Sequence, residues 1–265
     1  MREEICFVEP DLPGDDALFA AHTKEYIHKL RDAGLSAEEI LTLELPYSRE
    51  LVLSAELFCG GTVGALDSAL KDGLGINLGG GFHHAFPDHG EGFCVLNDIA
   101  VAVKKVINKG MVKKALIVDC DLHQGNGTAQ TFRDDSNVFT FSIHQENNYP
   151  FYKPKSDLDI GLRDRVRDRE YIGHLERVIP TIISDFKPEC IMYVAGADPY
   201  EHDQIGNLAL TKGALKRRDY FVCDQAKNYG IPIAIVLAGG YSVCREDTVE
   251  IQFNTIKTAV KMFNK

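Results

Sequence analysis

The chain has 265 residues, 45% of them hydrophobic, which is enough to bury a full α/β core. Its formal net charge of −10 at pH 7 counts against a binder of phosphate backbones, which ordinarily presents a basic face, so no direct nucleic-acid partner is expected. No apolar run reads as approaching the ~18 residues of a membrane span, and no membrane partner is expected either.

No linker, charge block or repeat divides the sequence, so one domain over residues 1–265 is the expectation. The start, Met1-Arg2-Glu3-Glu4-Ile5-Cys6, shows no apolar stretch behind its charges. Seven cysteines, at 6, 59, 94, 120, 190, 223 and 244, include no C-x-x-C pair, so reduced thiols and a cytoplasmic protein are expected.

In chain order, the periodicity predicts a helix near 49–71, a buried strand at 75–78, a helix at 97–108 and strands at 115–118 and 138–142. A helix at 169–186, a strand at 190–194, a helix at 211–228, a strand at 231–237 and a final helix at 245–263 follow. Such alternation predicts an α/β fold: a doubly wound, mostly parallel sheet with helices on both faces.

In an open parallel sheet, ligand sites form where the strands end. The first strand runs into Gly79-Gly80-Gly81-Phe82-His83-His84, and the second into Asp119-Cys120-Asp121-Leu122-His123. The 190–194 strand leads to Ala195-Gly196-Ala197-Asp198, and the 231–237 strand to Ala238-Gly239-Gly240-Tyr241. Asp121, His123 and Asp198 would give two carboxylates and one imidazole with an open fourth position, the pattern of a catalytic zinc site. The triplet D-x-H alone is common and fits a turn cap beside a loop histidine. With His83, His84, Asp198 and Tyr241 on the same edge, the metal reading prevails. The histidine pair would supply a general base and acid, and Tyr241 either a phenol donor to an oxyanion or a core aromatic. A phosphate cradle is disfavoured, because G-G-G-F-H-H lacks the G-x-G-x-x-G spacing.

These blocks carry a family resemblance. Residues 79–98, G-G-G-F-H-H-A-F-P-D-H-G-E-G-F-C-V-L-N-D, resemble the tandem-histidine segment of histone deacetylases, and 119–127, D-C-D-L-H-Q-G-N-G, resemble their zinc loop. G-A-D ending at Asp198 and G-G-Y ending at Tyr241 match the third ligand and the catalytic tyrosine, in the same order, over a region from Tyr47 onward. The resemblance implies the arginase/deacetylase fold, one catalytic zinc ion on Asp121, His123 and Asp198, and catalytic roles for His83, His84 and Tyr241, with His84 as base and acid. It implies that Asp119 orients His83 and, with Ser142 nearby, helps hold a structural potassium ion. Gly92 and Phe93 would line the acyl channel, with Tyr149 on the facing wall.

Three departures stand out. Gln124 and Asn126 replace the His and Asp of the loop form D-x-H-H-G-D-G, a variant resembling the class IV branch and bacterial relatives, with Asn126 placed beside the second histidine. His202 and Phe151 stand where glycine is usual. The family's N-terminal strand and rim loop, ahead of the region beginning here at Leu18, are not found, so its substrate-clamping acid has no assigned position. The implied reaction is zinc-assisted hydrolysis of an acyl-amine, acetyl above all, with acyl-lysine, acyl-polyamine or a small metabolite as carrier. A binuclear arginase-like hydrolase lacks carboxylates here, and a non-catalytic reader of acyl-lysine is the alternative from another class.

Overall fold

The computed structural model describes residues 5–264. Six strands form one sheet: β1 (Leu74–Asn77), β2 (Ala115–Asp119), β3 (Val138–Gln145), β4 (Leu158–Leu162), β5 (Cys190–Val194) and β6 (Ile233–Val236). They lie in the order β1-β6-β5-β2-β3-β4 and are parallel at every pairing. The helices are α1 (Asp15–Ala21), α2 (Lys24–Arg31), α3 (Ala37–Leu43), α4 (Arg49–Asp72), α5 (Asp98–Asn108), α6 (Asn126–Phe132), α7 (Asp168–Phe186), α8 (Lys212–Asn228) and α9 (Arg245–Phe263).

β2 and β5 are buried at every position, which is why they read as unbroken apolar runs rather than as alternating ones. Successive side chains leave a strand on opposite faces and so serve two cores. Ile117, Val194 and Val236 pack with residues of α4 and α5, whereas Val118, Tyr193 and Ile235 pack with those of α7, α8 and α9. The doubly wound arrangement follows from this division. α4 also closes tightly on the sheet edge: a Cβ at Gly75 would lie 1.8 Å from the Ala65 carbonyl oxygen, so only glycine fits the contact.

The elements differ from the sequence expectation in five places, the first being β3, which runs three residues further, to Gln145. β1 is shifted one residue earlier, to Leu74–Asn77; β6 is shortened at both ends to Ile233–Val236, its start following Pro232, which has no N–H for the ladder. β4 was not expected, since L-D-I-G-L carries two residues depleted in strands; it is an edge strand whose Asp159 and Gly161 are exposed. α1, α2, α3 and α6 were also missed, each being only seven or eight residues long. α4 proves long and apolar enough by composition to cross a membrane, yet half of its most apolar window is buried in the protein, as suits a core helix.

From β2 the chain proceeds outward to β3 and β4, then returns to β5 on the other side of β2. The gap between β2 and β5 is therefore the topological switch point, where a crevice opens beyond the strand ends. Asp119 ends β2, and Asp198 lies four residues beyond β5.

Candidate metal centre and histidine pair

The glycine turn after β1 is held from below by Asp98, the first residue of α5. Its buried carboxylate accepts the backbone N–H groups of Gly81 and Phe82 at 3.0 and 2.7 Å. Asn97 caps α5 and donates its side-chain amide to the Ala85 carbonyl at 3.2 Å and to Thr128 Oγ1 at 3.0 Å. The N-D pair closing the tandem-histidine segment is thus its anchor. Gly80 and Gly81 have φ of +77° and +94°, and a Cβ on Gly81 would meet that of Ala238 at 2.6 Å, so the turn needs glycine for both shape and space.

His83 and His84 are both buried, with their Nε2 atoms 3.1 Å apart. Each ring is oriented through Nδ1: that of His83 donates to Asp119 Oδ2 at 2.7 Å, and that of His84 to Asn126 Oδ1 at 2.7 Å. Burial disfavours the charged form of either ring, but the charges of Asp119 and Asp121 push His83 up to about 9. Burial and the neighbouring His83 and His123 drive His84 well below the ordinary value, against a small opposing contribution from Asn126. The shifts differentiate the pair, favouring the charged form at His83 and the neutral form at His84, whose Nε2 faces the Nε2 of His83.

Asp121, His123 and Asp198 converge beside this pair, their ligand atoms all within 4.8 Å of one another and all three residues buried. His123 Nδ1 lies 3.2 Å from both Asp121 Oδ1 and Asp198 Oδ2. The other carboxylate oxygens are fixed by backbone: Gly239 N–H donates to Asp121 Oδ2 at 3.0 Å and Leu122 N–H to Asp198 Oδ1 at 2.9 Å. Asp198 Oδ2 is buried with the His123 ring nitrogen as its near polar neighbour but without an aligned hydrogen bond. Burial and the charge of Asp121 push the Asp198 carboxyl up to about 7. Two carboxylates held this close without solvent call for a cation between them. Gly196 and Gly239 leave the room: a Cβ on either would come within 2.5 Å of a ligand carboxylate oxygen. The donor set, its burial and the orphaned oxygen fit a catalytic divalent metal ion.

A cavity of about 350 Å³ opens from this group to the surface. His83, His84, Asp121, His123, Asp198 and Tyr241 line it, together with Gly92, Phe93 and Tyr149. Gly92 (φ +54°) faces Tyr149 closely, since a Cβ there would lie 2.7 Å from the phenol oxygen. Phe93, at φ +65°, is a non-glycine residue in the strained left-handed region, half-exposed where it lines the cavity. Burial, then the charges of Asp121 and Asp198, push the Tyr241 phenol upward, so it stays a proton donor at neutral pH. Asp119 and Ser142 are register partners on β2 and β3, and Ser142 Oγ pairs with His144 Nδ1 at 2.9 Å.

Phe151 is fully exposed and His202 stacks edge-on against Tyr200, so neither departure from glycine enters the cavity. Sequence reading missed Glu91, Glu44, Phe58, Phe82 and Ile205. The last four line the cavity wall and mouth. Glu91 accepts hydrogen bonds from Asn126 Nδ2 at 2.7 Å and Tyr149 OH at 2.6 Å. It stands in the quoted G-E-G-F-C run, but nothing local announces a partner 35 residues away.

A parallel doubly wound sheet whose switch point gathers a buried Asp-His-Asp group and a carboxylate-oriented histidine defines a protein with a candidate metal centre at its strand ends. The family model described as the histone deacetylase domain matches residues 1–252, and the chain belongs to that family. It is 39% identical over 241 residues to an uncharacterized protein of Picosynechococcus sp., covering 91% of this chain and 80% of that one. It is 29% identical to a probable deacetylase of Methanothermobacter thermautotrophicus, covering 89% of this chain and 74% of that relative. Histone deacetylase 2 of Arabidopsis thaliana is 27% identical over 90% of this chain, which spans 64% of the plant protein. Among solved structures, a histone deacetylase homologue from Aquifex aeolicus superposes with a TM-score of 0.80 at 25% identity, over 95% of this chain and 72% of that one.

Proposed function

We propose that the chain is a zinc-dependent amide hydrolase that removes an acyl group, acetyl above all, from an amine such as acyl-lysine. The observation that carries this reading is the placement of a buried Asp121-His123-Asp198 group beside a differentiated histidine pair, all lining one cavity. Zinc, when held by those three residues, supplies Lewis-acid polarisation of a carbonyl and an acidified water.

The chain's own groups account for the rest. His84, neutral and donating through Nδ1 to Asn126, offers Nε2 as the base and returns that proton to the departing amine. His83, charged and clamped by Asp119, stabilises negative charge developing beside it. Tyr241 is the further donor to the oxyanion. Phe58, Phe82, Phe93 and Tyr149 give the cavity aromatic walls suited to a linear aliphatic stem, and exclude bulk water. Glu44 lines the cavity and remains exposed, where a carboxylate can meet the N–H donors of a peptide or the ammonium of a polyamine. A structural potassium ion held near Asp119 and Ser142 belongs to the same reading, as does kinship of the Q-G-N-G loop with the class IV branch.

The test is to measure zinc content and the hydrolysis of a panel of acyl-lysine peptides, acyl-polyamines and small acylated amines. Turnover that depends on stoichiometric zinc supports the proposal. A chain that binds acyl-lysine peptide without hydrolysing any member would instead be a reader of the modification.

A further inference from the structure

We propose that Glu91 is a positioning residue that sets the tautomer of His84 through the side-chain amide of Asn126. This rests on the reading of His84 as the base.

A side-chain amide has one accepting and one donating end, and its neighbours decide which way it faces. Glu91 Oε1 lies 2.7 Å from the nitrogen end of Asn126. Burial works against a charge on Glu91, but hydrogen bonds with His89, Tyr149 and Asn126 hold its carboxyl below the usual range, so it is ionised and only accepts. Turning the amide over would set oxygen against carboxylate. Glu91 therefore forces the Asn126 oxygen toward His84, 2.7 Å from Nδ1. An imidazole nitrogen facing an acceptor must carry the proton. His84 is thus held in the Nδ1–H form, which leaves its Nε2 unprotonated and facing the Nε2 of His83 at 3.1 Å.

Without Glu91 the amide is free to present its NH2 to His84 and draw the ring proton to Nε2, the wrong atom for a base, with only the facing Nε2 of His83 to oppose the change. Asn alone does not specify its orientation, whereas a carboxylate at this position would need no such partner. The same Oε1 takes the Tyr149 hydroxyl at 2.6 Å, so the channel wall and the base share one anchor. At 21% side-chain exposure Glu91 sits at the rim of the buried site, and its replacement should spare the core.

The experiment reads the imidazole nitrogen chemical shifts of His84 in the isotope-labelled full chain, with and without added zinc, beside kcat and KM on an acetyl-lysine peptide. Glu91→Leu should move His84 toward the Nε2–H form and lower kcat roughly 10- to 100-fold, within the range that general-base catalysis contributes. Glu91→Gln, whose amide oxygen still accepts from Asn126 and Tyr149, should restore both the tautomer and the rate. Tyr149→Phe removes the wall contact alone and should leave the tautomer unchanged. Should the leucine variant fail to fold, Glu91→Lys serves: its ammonium claims the Asn126 oxygen, and the same tautomer shift is expected. The proposal is overturned if His84 keeps Nδ1–H in the leucine or lysine variant, or if Tyr149→Phe shifts it equally. Absence of peptide hydrolysis in the parent chain would remove the deacylase reading, while the tautomer measurement would still decide the role of Glu91.

Discussion

The carboxylate of Asp203 accepts the backbone N–H of Tyr241 at 2.7 Å, tying the loop that follows Asp198 to the loop that follows β6. The same carboxylate caps its own turn through the N–H of Ile205 and Gly206, while Gln204 binds the Tyr241 carbonyl from the other side. The phenol is therefore presented from a backbone fixed at both ends. Tyr241→Phe keeps that frame and deletes only the donor. On the scale of a lost oxyanion donor, kcat should fall ~10²- to 10³-fold with zinc content unchanged. An unaltered rate would make Tyr241 a wall residue.

Asp121→Ala and Asp198→Ala should each lose zinc and activity together, because each removes one of the three side chains of the metal group. The losses should exceed any effect on folding, since the deletion also relieves one of two crowded buried carboxylates. Elemental analysis beside thermal unfolding checks both halves. Full zinc retention in either variant would move the metal elsewhere.

Below the metal group, the buried Arg218 guanidinium holds two loops at once. It donates to the Cys120 carbonyl at 3.2 Å and to the Gly196 carbonyl at 2.6 Å, while pairing with Asp219 at 2.8 Å. Those carbonyls sit between Asp119 and Asp121, and two residues before Asp198. Arg218→Ala would leave the Asp219 carboxylate buried beside only Tyr193 and Thr255, and should cost about 3–5 kcal/mol of stability in urea unfolding. A change under ~1 kcal/mol would mean that solvent reaches the pair, as at a surface salt bridge.

What sequence conveyed and what it withheld divide along physical lines. β2 and β5, covered on both faces, spell themselves out as apolar runs. The residues that follow them are chemically distinctive, so Asp121, His123 and Asp198 could be placed on one edge from strand logic alone. The solvated edge strand β4 has no such pattern, and neither do helices of two turns such as α1 and α3. The site's supporting partners were the least legible. Asp98 and Asp203 act by capping backbone N–H groups across gaps of 16 and 38 residues, and a carboxylate in a loop looks the same whether or not a turn lies beneath it. Asn126 was visible as a departure, but its meaning depends on Glu91, which only the folded chain brings within reach.

That dependence shapes the last prediction, the substitution Asn126→Asp. The pKa of His84 lies well below the ordinary value, first through burial and then through the charges of His83 and His123. The acidic limb of kcat/KM, which reports protonation of the base in the free enzyme, should therefore fall at low pH. A carboxylate in place of the amide favours the protonated imidazole, so its sign is a rise in pKa and an upward shift of that limb, by about a unit. In the single variant, however, the introduced carboxylate would meet Glu91 where the amide now donates at 2.7 Å, and like charges that close do not both stay ionised. One of them takes up a proton, and the effect on His84 is blunted. Asn126→Asp combined with Glu91→Gln exchanges the amide and carboxylate between the two positions and keeps a donor between them. The double variant should show the larger shift and the better folding of the two. If neither moves the acidic limb, Asn126 serves only the start of α6, and the charge state of His84 is set entirely by its burial and its histidine neighbours.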